Sequence, residues 1–190
     1  MQLNNGTFLI TNKLYNHAKL AMWGTDPRDM GTTEEKADKD QLWQLKEEPK
    51  HPGYYYICNL KYVTFRLAKW RPGIEDVGSY TGPHHDNQLW RFEDTGDGFY
   101  RIYNFIYNEA RLRKWGKEND EWGTGEGRAQ DDESWKLVPR FRADVKTATI
   151  WSVDNRRGSE SLSGKVSVTT GLEFSSYSSI STTVGLEQSL

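Results

Sequence analysis

The chain of 190 residues contains one cysteine, Cys58, so no disulfide can form within it and a cysteine-based zinc site is excluded. It has no apolar run near the ~18 residues that a membrane-spanning helix requires. Apolar residues are scarce at 35%, which leaves little aliphatic material for a core. Neither sign of charge dominates. Lys and Arg number 25 against 27 Asp and Glu, a net charge of −2, so the basic footprint of a nucleic-acid binder is missing and no nucleic-acid partner is expected. The opening stretch MQLNNGTFLITNK has no basic segment leading into an apolar one, so no Sec signal peptide is expected. That reading makes the protein soluble and either cytoplasmic or exported by a non-classical route.

Catalytic signatures are also missing. There is no H-E-x-x-H, no G-x-S-x-G and no Walker loop. His17 and His51 stand alone, and the adjacent pair His84-His85 would point to opposite faces of an extended segment. The acids Asp131-Asp132-Glu133 fall in a hydrophilic stretch and read as solvated. No enzymatic activity, cofactor or metal is expected.

Aromatics are plentiful, with eight Trp and ten Tyr, which points to an aromatic core. They are also periodic. Trp23, Trp70 and Trp115 are each followed at the same interval by Trp43, Trp90 and Trp135. Asn12, Asn59 and Asn104 precede the first member of each pair, and Gly6, Gly53 and Gly98 precede each Asn. The three copies align without a gap over 6–45, 53–92 and 98–137. Their shared pattern is G-x-[FY]-x-I-x-N-x-x-Y, then L-x-x-W, then [DE]-x-G, then [DN]-[QE]-x-W-x-[LF]. A position kept in all three copies serves something that each copy needs.

Within a copy, short period-two alternations such as Phe8/Ile10/Asn12 and Tyr55/Ile57/Asn59 read as strands, and TDPRD and RPGIED read as turns. The charged run TTEEKADKD (32–40) reads as a solvated loop rather than a helix. Four strands in each of three copies give twelve. A three-bladed propeller falls below the usual blade number, so the expected fold is an all-β β-trefoil, six strands closing a barrel and six forming capping hairpins. Trp43, Trp90 and Trp135, with Ile10, Ile57, Ile102, Leu20, Leu67 and Leu112, are assigned to its core. The repeated glycines are assigned to turns with positive φ.

The Q-x-W that ends each repeat (QLW at 41–43 and 88–90, ESW at 133–135) resembles the ricin-B-like lectin family, whose fold is the β-trefoil. The resemblance covers about residues 1–140. The stretch LAKWRPGIEDVGSYTGPHHDNQLWRFE (67–93) looks like the trefoil of mushroom pore-forming haemolytic lectins, in which the lectin trefoil precedes an aerolysin-like pore module. The resemblance implies glycans or glycoconjugates as partners and, through the later segment, a membrane surface.

A ricin-type sugar pocket uses a carboxylate or amide for two hydroxyls, an aromatic face, and a further amide before the Q-x-W. Asn87 matches the last directly, and Asp40 and Asp132 match it more loosely. The family's first-loop Asp has no counterpart, since Asn16, Val63 and Asn108-Glu109 stand there. The second repeat is the best equipped, and Tyr80, His84, His85 and Asn87 are its candidate site. The alternative for His84-His85 is a polar hairpin tip. Trp23, Trp70 and Trp115 are read either as packing at a hairpin base or as sugar-stacking platforms.

Beyond residue 140 the composition turns to Ser and Thr. In 141–190, Val166, Val168, Leu172, Phe174, Ile180, Val184 and Leu186 share one parity, and mainly polar residues take the other. This alternation resembles the long strands of aerolysin-like pore modules, where one apolar and one polar face build a barrel wall. VKTATIWSVDN (145–155) reads as a further strand. No return strand follows this alternation before Leu190, so the segment is expected to begin a longer pore-forming chain or to pair with a second copy. A homo-oligomer is therefore expected. A protein-binding or inhibitory trefoil, with the tail mediating dimerisation, is the alternative function.

Overall fold

The computed structural model describes Leu3 and residues 6–140. The strands expected within 141–190 lie outside the described residues.

The described chain holds twelve strands, four in each repeat. The first repeat gives β1 (Thr7–Asn12), β2 (Lys19–Met22), β3 (Met30–Thr33) and β4 (Leu42–Glu47). The second gives β5 (Tyr54–Asn59), β6 (Arg66–Lys69), β7 (Val77–Tyr80) and β8 (Leu89–Asp94). The third gives β9 (Tyr100–Asn104), β10 (Arg111–Lys114), β11 (Trp122–Gly125) and β12 (Ser134–Pro139). Antiparallel pairings β1–β4, β4–β5, β5–β8, β8–β9, β9–β12 and β12–β1 form a closed cycle. Six strands therefore make a barrel, and the hairpins β2–β3, β6–β7 and β10–β11 cap it. This is the arrangement that the threefold repeat predicts. A single 3-10 turn before each Q-x-W strand, at Lys39–Gln41, Asp86–Gln88 and Asp131–Glu133, has no counterpart in the sequence reading.

The repeated residues share repeated jobs. Trp43, Trp90 and Trp135 are fully buried with Ile10, Ile57, Ile102, Leu20, Leu67 and Leu112 in one core. A buried indole N–H needs an acceptor. Each tryptophan donates it to the carbonyl of its own repeat's L-x-x-W leucine: Leu20, Leu67 or Leu112, at 2.8–2.9 Å. That single bond ties the last strand of each repeat to its hairpin.

The repeated Asn closes its turn and reaches the repeat before it. Its Oδ1 accepts the N–H groups two and three residues ahead, at 2.9–3.1 Å in all three copies. Its Nδ2 donates to a carbonyl beside the preceding Q-x-W: Asn59 to Asp40, Asn104 to Asn87, and Asn12 to Asp132. The Tyr three residues on donates its hydroxyl to the L-x-x-W tryptophan carbonyl of the preceding copy: Tyr15 to Trp115, Tyr62 to Trp23 and Tyr107 to Trp70.

Glycines fall into two groups. Gly53 and Gly98 have φ of +84° and +85°, as expected for turns. Gly31, Gly78 and Gly123 do not, and their reason is closeness. A Cβ on Gly78 would stand 2.5 Å from Trp70 Cη2 and against the Pro27 carbonyl, and one on Gly31 or Gly123 would stand 2.5 Å from Trp23 Cη2 or 2.9 Å from Trp115 Cη2.

Candidate functional site

Each capping hairpin leads through a loop into the 3-10 turn before Q-x-W, so the same surface position occurs three times. In the second repeat it opens as a concavity of about 460 Å³, lined by Tyr80, His84, His85, Asp86, Asn87 and Ile106. The structure thus gathers the four residues singled out in the second repeat. Ile106 and Asp86 were not anticipated. Ile106 belongs to the third repeat, two residues past Asn104, and a pattern read copy by copy does not show which neighbour faces a loop.

The loop is held from below. Arg66, 7% exposed, donates Nε to Gln88 Oε1 at 2.6 Å and Nη2 to the Gly82 carbonyl. Gln88 Nε2 donates to the Pro83 carbonyl at 3.2 Å. Gly82, with φ of +112°, turns the chain beneath the Tyr80 ring. The His84 ring lies 4.4 Å from that of Tyr56, and the His85 ring meets Tyr80 edge-on at 5.7 Å. Burial and a hydrogen bond to Glu48 push the Tyr56 phenol up to about 12, so it remains an uncharged floor for His84.

The polar positions differ between copies. Asn87 and its counterparts Asp40 and Asp132 each have a buried Oδ1 with no protein partner. A buried acceptor of this kind needs a donor from outside the chain, a water or a ligand hydroxyl. In the first and third repeats the other oxygen is engaged by a cation: Asp40 Oδ2 lies 3.7 Å from Lys61 Nζ, and Asp132 Oδ2 accepts from Arg113 Nε at 2.8 Å. Asp38 accepts the Lys39 N–H at its 3-10 turn and the Gln130 N–H donates to Glu133 Oε2 at its own, whereas the counterpart His85 makes no side-chain cap bond. Tyr80 is replaced by Thr33 and Gly125, so the aromatic wall exists in one copy.

No protein-family model matches the chain, and no curated protein is similar to it. Solved structures are. The BEL β-trefoil superposes with a TM-score of 0.62 at 16% identity, over 71% of this chain and 93% of that one. SeviL, solved bound to asialo-GM1 saccharide, gives 0.58 at 22% identity, over 73% and 100%. A mosquitocidal holotoxin gives 0.64 at 20% identity, over 77% of this chain but 19% of its own. The described residues fold as a β-trefoil.

Within the trefoil, Trp23, Trp70 and Trp115 are not among the residues lining the concavity. Each sets its ring edge against the glycine of its own hairpin, Gly31, Gly78 or Gly123. Trp23 is 41% exposed, and Trp70 and Trp115 are half-buried. The departure from Q-x-W in the third repeat also has a partner. Glu133 Oε2 accepts from Arg111 Nε at 2.7 Å, both side chains being almost fully buried, where the second repeat pairs Gln88 with Arg66. Among the described residues no cluster of His, Cys, Asp or Glu could hold a metal, and no helix is long and apolar enough to cross a membrane.

Proposed function

We propose that the trefoil binds glycans in the second-repeat concavity. The observation that carries this is the contrast between copies. One copy alone combines an aromatic wall, an uncharged amide and an uncapped histidine around an open volume. A pyranose presents an apolar C–H face and a rim of hydroxyls. Tyr80 and Ile106 suit the face, and Asn87, Asp86, His84 and His85 offer donors and acceptors to the rim. No bond is made or broken in this reading, and the chain acts as a binding protein rather than an enzyme. The saccharide held by SeviL supports testing glycans first.

The segment 141–190 is read as the second part of the function: amphipathic strands for oligomerisation or pore assembly at the membrane that the trefoil selects. Its support is the alternation from Val166 to Leu186.

The test is a glycan array with the full chain beside a Tyr80→Ala, Asn87→Ala double variant. Binding to a defined glycan class, lost in the double variant, is expected. Equal binding by both proteins moves the site out of the second repeat. Absence of binding by the native chain overturns the glycan reading in favour of a protein partner.

A further inference from the structure

The three copies show what an open site needs and how the chain withholds it. Position 113 lies in β10 where the first two repeats have Ala21 and Ala68, both fully buried. Arg113 places a long side chain at that position, 29% exposed. Across the hairpin, Gly125 stands where the second repeat has Tyr80, and a Cβ on Gly125 would meet the Glu133 carboxylate first and then lie 2.8 Å from Arg113 Cδ. The third repeat therefore holds arginine and glycine where the second has alanine and tyrosine. The arginine stem crosses the space that a side chain at 125 would need, and its guanidinium reaches Asp132, which is 5% exposed. In the first repeat the route differs. Lys61 takes the place of Ile106, its Nζ sits 3.7 Å from Asp40 Oδ2, and Thr33 Oγ1 accepts the Glu35 N–H instead of leaving an aromatic face.

Resting on the glycan reading of the second repeat, we propose that Lys61 and Arg113 act as built-in occupants that hold the first and third sites closed, so that each chain binds one glycan. In both copies the chain's own cation takes the carboxylate through Oδ2 and stands beside the Oδ1 that a sugar hydroxyl would have to reach. The Arg113–Asp132 bond is charge-assisted and stronger than one from a neutral hydroxyl, whereas Lys61 at 3.7 Å from Asp40 is a looser ion pair. Asn87 has no charge to attract such an occupant, and Ala68 leaves room beside it. The chain then recognises a glycan without cross-linking two of them by itself.

The experiment is calorimetric titration of the full chain with the asialo-GM1 saccharide, galactose, N-acetylgalactosamine, N-acetylglucosamine and mannose. The expected stoichiometry is one sugar per chain, with all heat lost in Asn87→Ala. Arg113→Ala and, separately, Lys61→Ala are each expected to add a second, weaker event and raise the stoichiometry to two. Lys61 is 43% exposed on its side chain, so its variant folds even where Arg113→Ala fails a melting control. Two or three sugars on the native chain, or a stoichiometry of one in the folded cation variants, overturns the assignment while leaving glycan binding intact. No heat with any of these sugars, together with a blank glycan array, overturns both readings.

Discussion

Lys114 is 1% exposed, yet in the first repeat its place is taken by Met22, also fully buried. Replacing Lys114 with methionine therefore installs a side chain of similar length that the fold already accepts once. The lysine donates Nζ to the Glu118 carbonyl at 2.7 Å and lies 5.3 Å from the Tyr15 ring centroid. The bond contributes about 1.5–3 kcal/mol and the ring contact about 0.5–2 kcal/mol. Against these stands the desolvation of an ammonium with no carboxylate bonded to it among the described residues, which costs several kcal/mol. The Glu118 carbonyl is not orphaned by the change, because it also accepts the Glu121 N–H at 3.2 Å. Lys114→Met is expected to stabilise the fold by about 1–2 kcal/mol, within the range seen when buried ions are replaced by packed apolar groups. Lys114→Ala, which leaves a hole, is expected to lose about 2–4 kcal/mol. Urea denaturation with an unchanged m-value measures both.

The pH dependence has a fixed sign. Burial lowers the Lys114 pKa, so between that lowered value and the free-lysine value of about 10.4 the unfolded chain holds the proton that the folded chain has released. This lysine's contribution to stability therefore rises with pH across that window, and its penalty is greatest below it. The advantage of Lys114→Met should shrink as pH climbs toward about 10.4. A methionine variant destabilised by more than 1 kcal/mol at neutral pH would refute the reasoning.

Two further outcomes follow from the paired copies. Glu133→Ala strands the buried Arg111 and is expected to cost about 3–5 kcal/mol, whereas Glu133→Gln restores the Arg66–Gln88 arrangement of the second repeat and should cost about 1 kcal/mol, both read from denaturation midpoints. Gly78→Ala is expected to cost about 2–3 kcal/mol and to change Trp fluorescence, because the new methyl meets both the Trp70 ring and the Pro27 carbonyl.

Much of this was legible because the chain carries its own alignment. Three copies of Trp, Ile and Leu at one register identify the core without homologues, and the closed barrel follows from twelve short strands in three sets. The glycine in [DE]-x-G was visible as a repeat, but its cause, a tryptophan ring lying against it, depends on packing across the hairpin. In the candidate site, Tyr80, His84, His85 and Asn87 were readable because they lie in one short stretch of chain, 80–87. Ile106, Arg66, Lys61 and Arg113 were not. They arrive from other strands, and what each does is fixed by where the barrel places it. The neutral Asn87 and the acids Asp40 and Asp132 look interchangeable in sequence, and the nearby cations are what separate them.

The strand that seals the barrel is also the last of its strands to be made. Phe8–Asn12 of β1 pairs with Trp135–Pro139 of β12, and Asn12 Nδ2 spans the same seam to the Asp132 carbonyl. During synthesis β1 must therefore wait with one edge open until nearly the whole trefoil has left the ribosome. For that interval the newborn chain presents an unpaired edge, the surface on which strand addition between chains begins. Crowding of nascent chains, rather than loss of any contact in the finished fold, is then the condition under which this protein would misassemble.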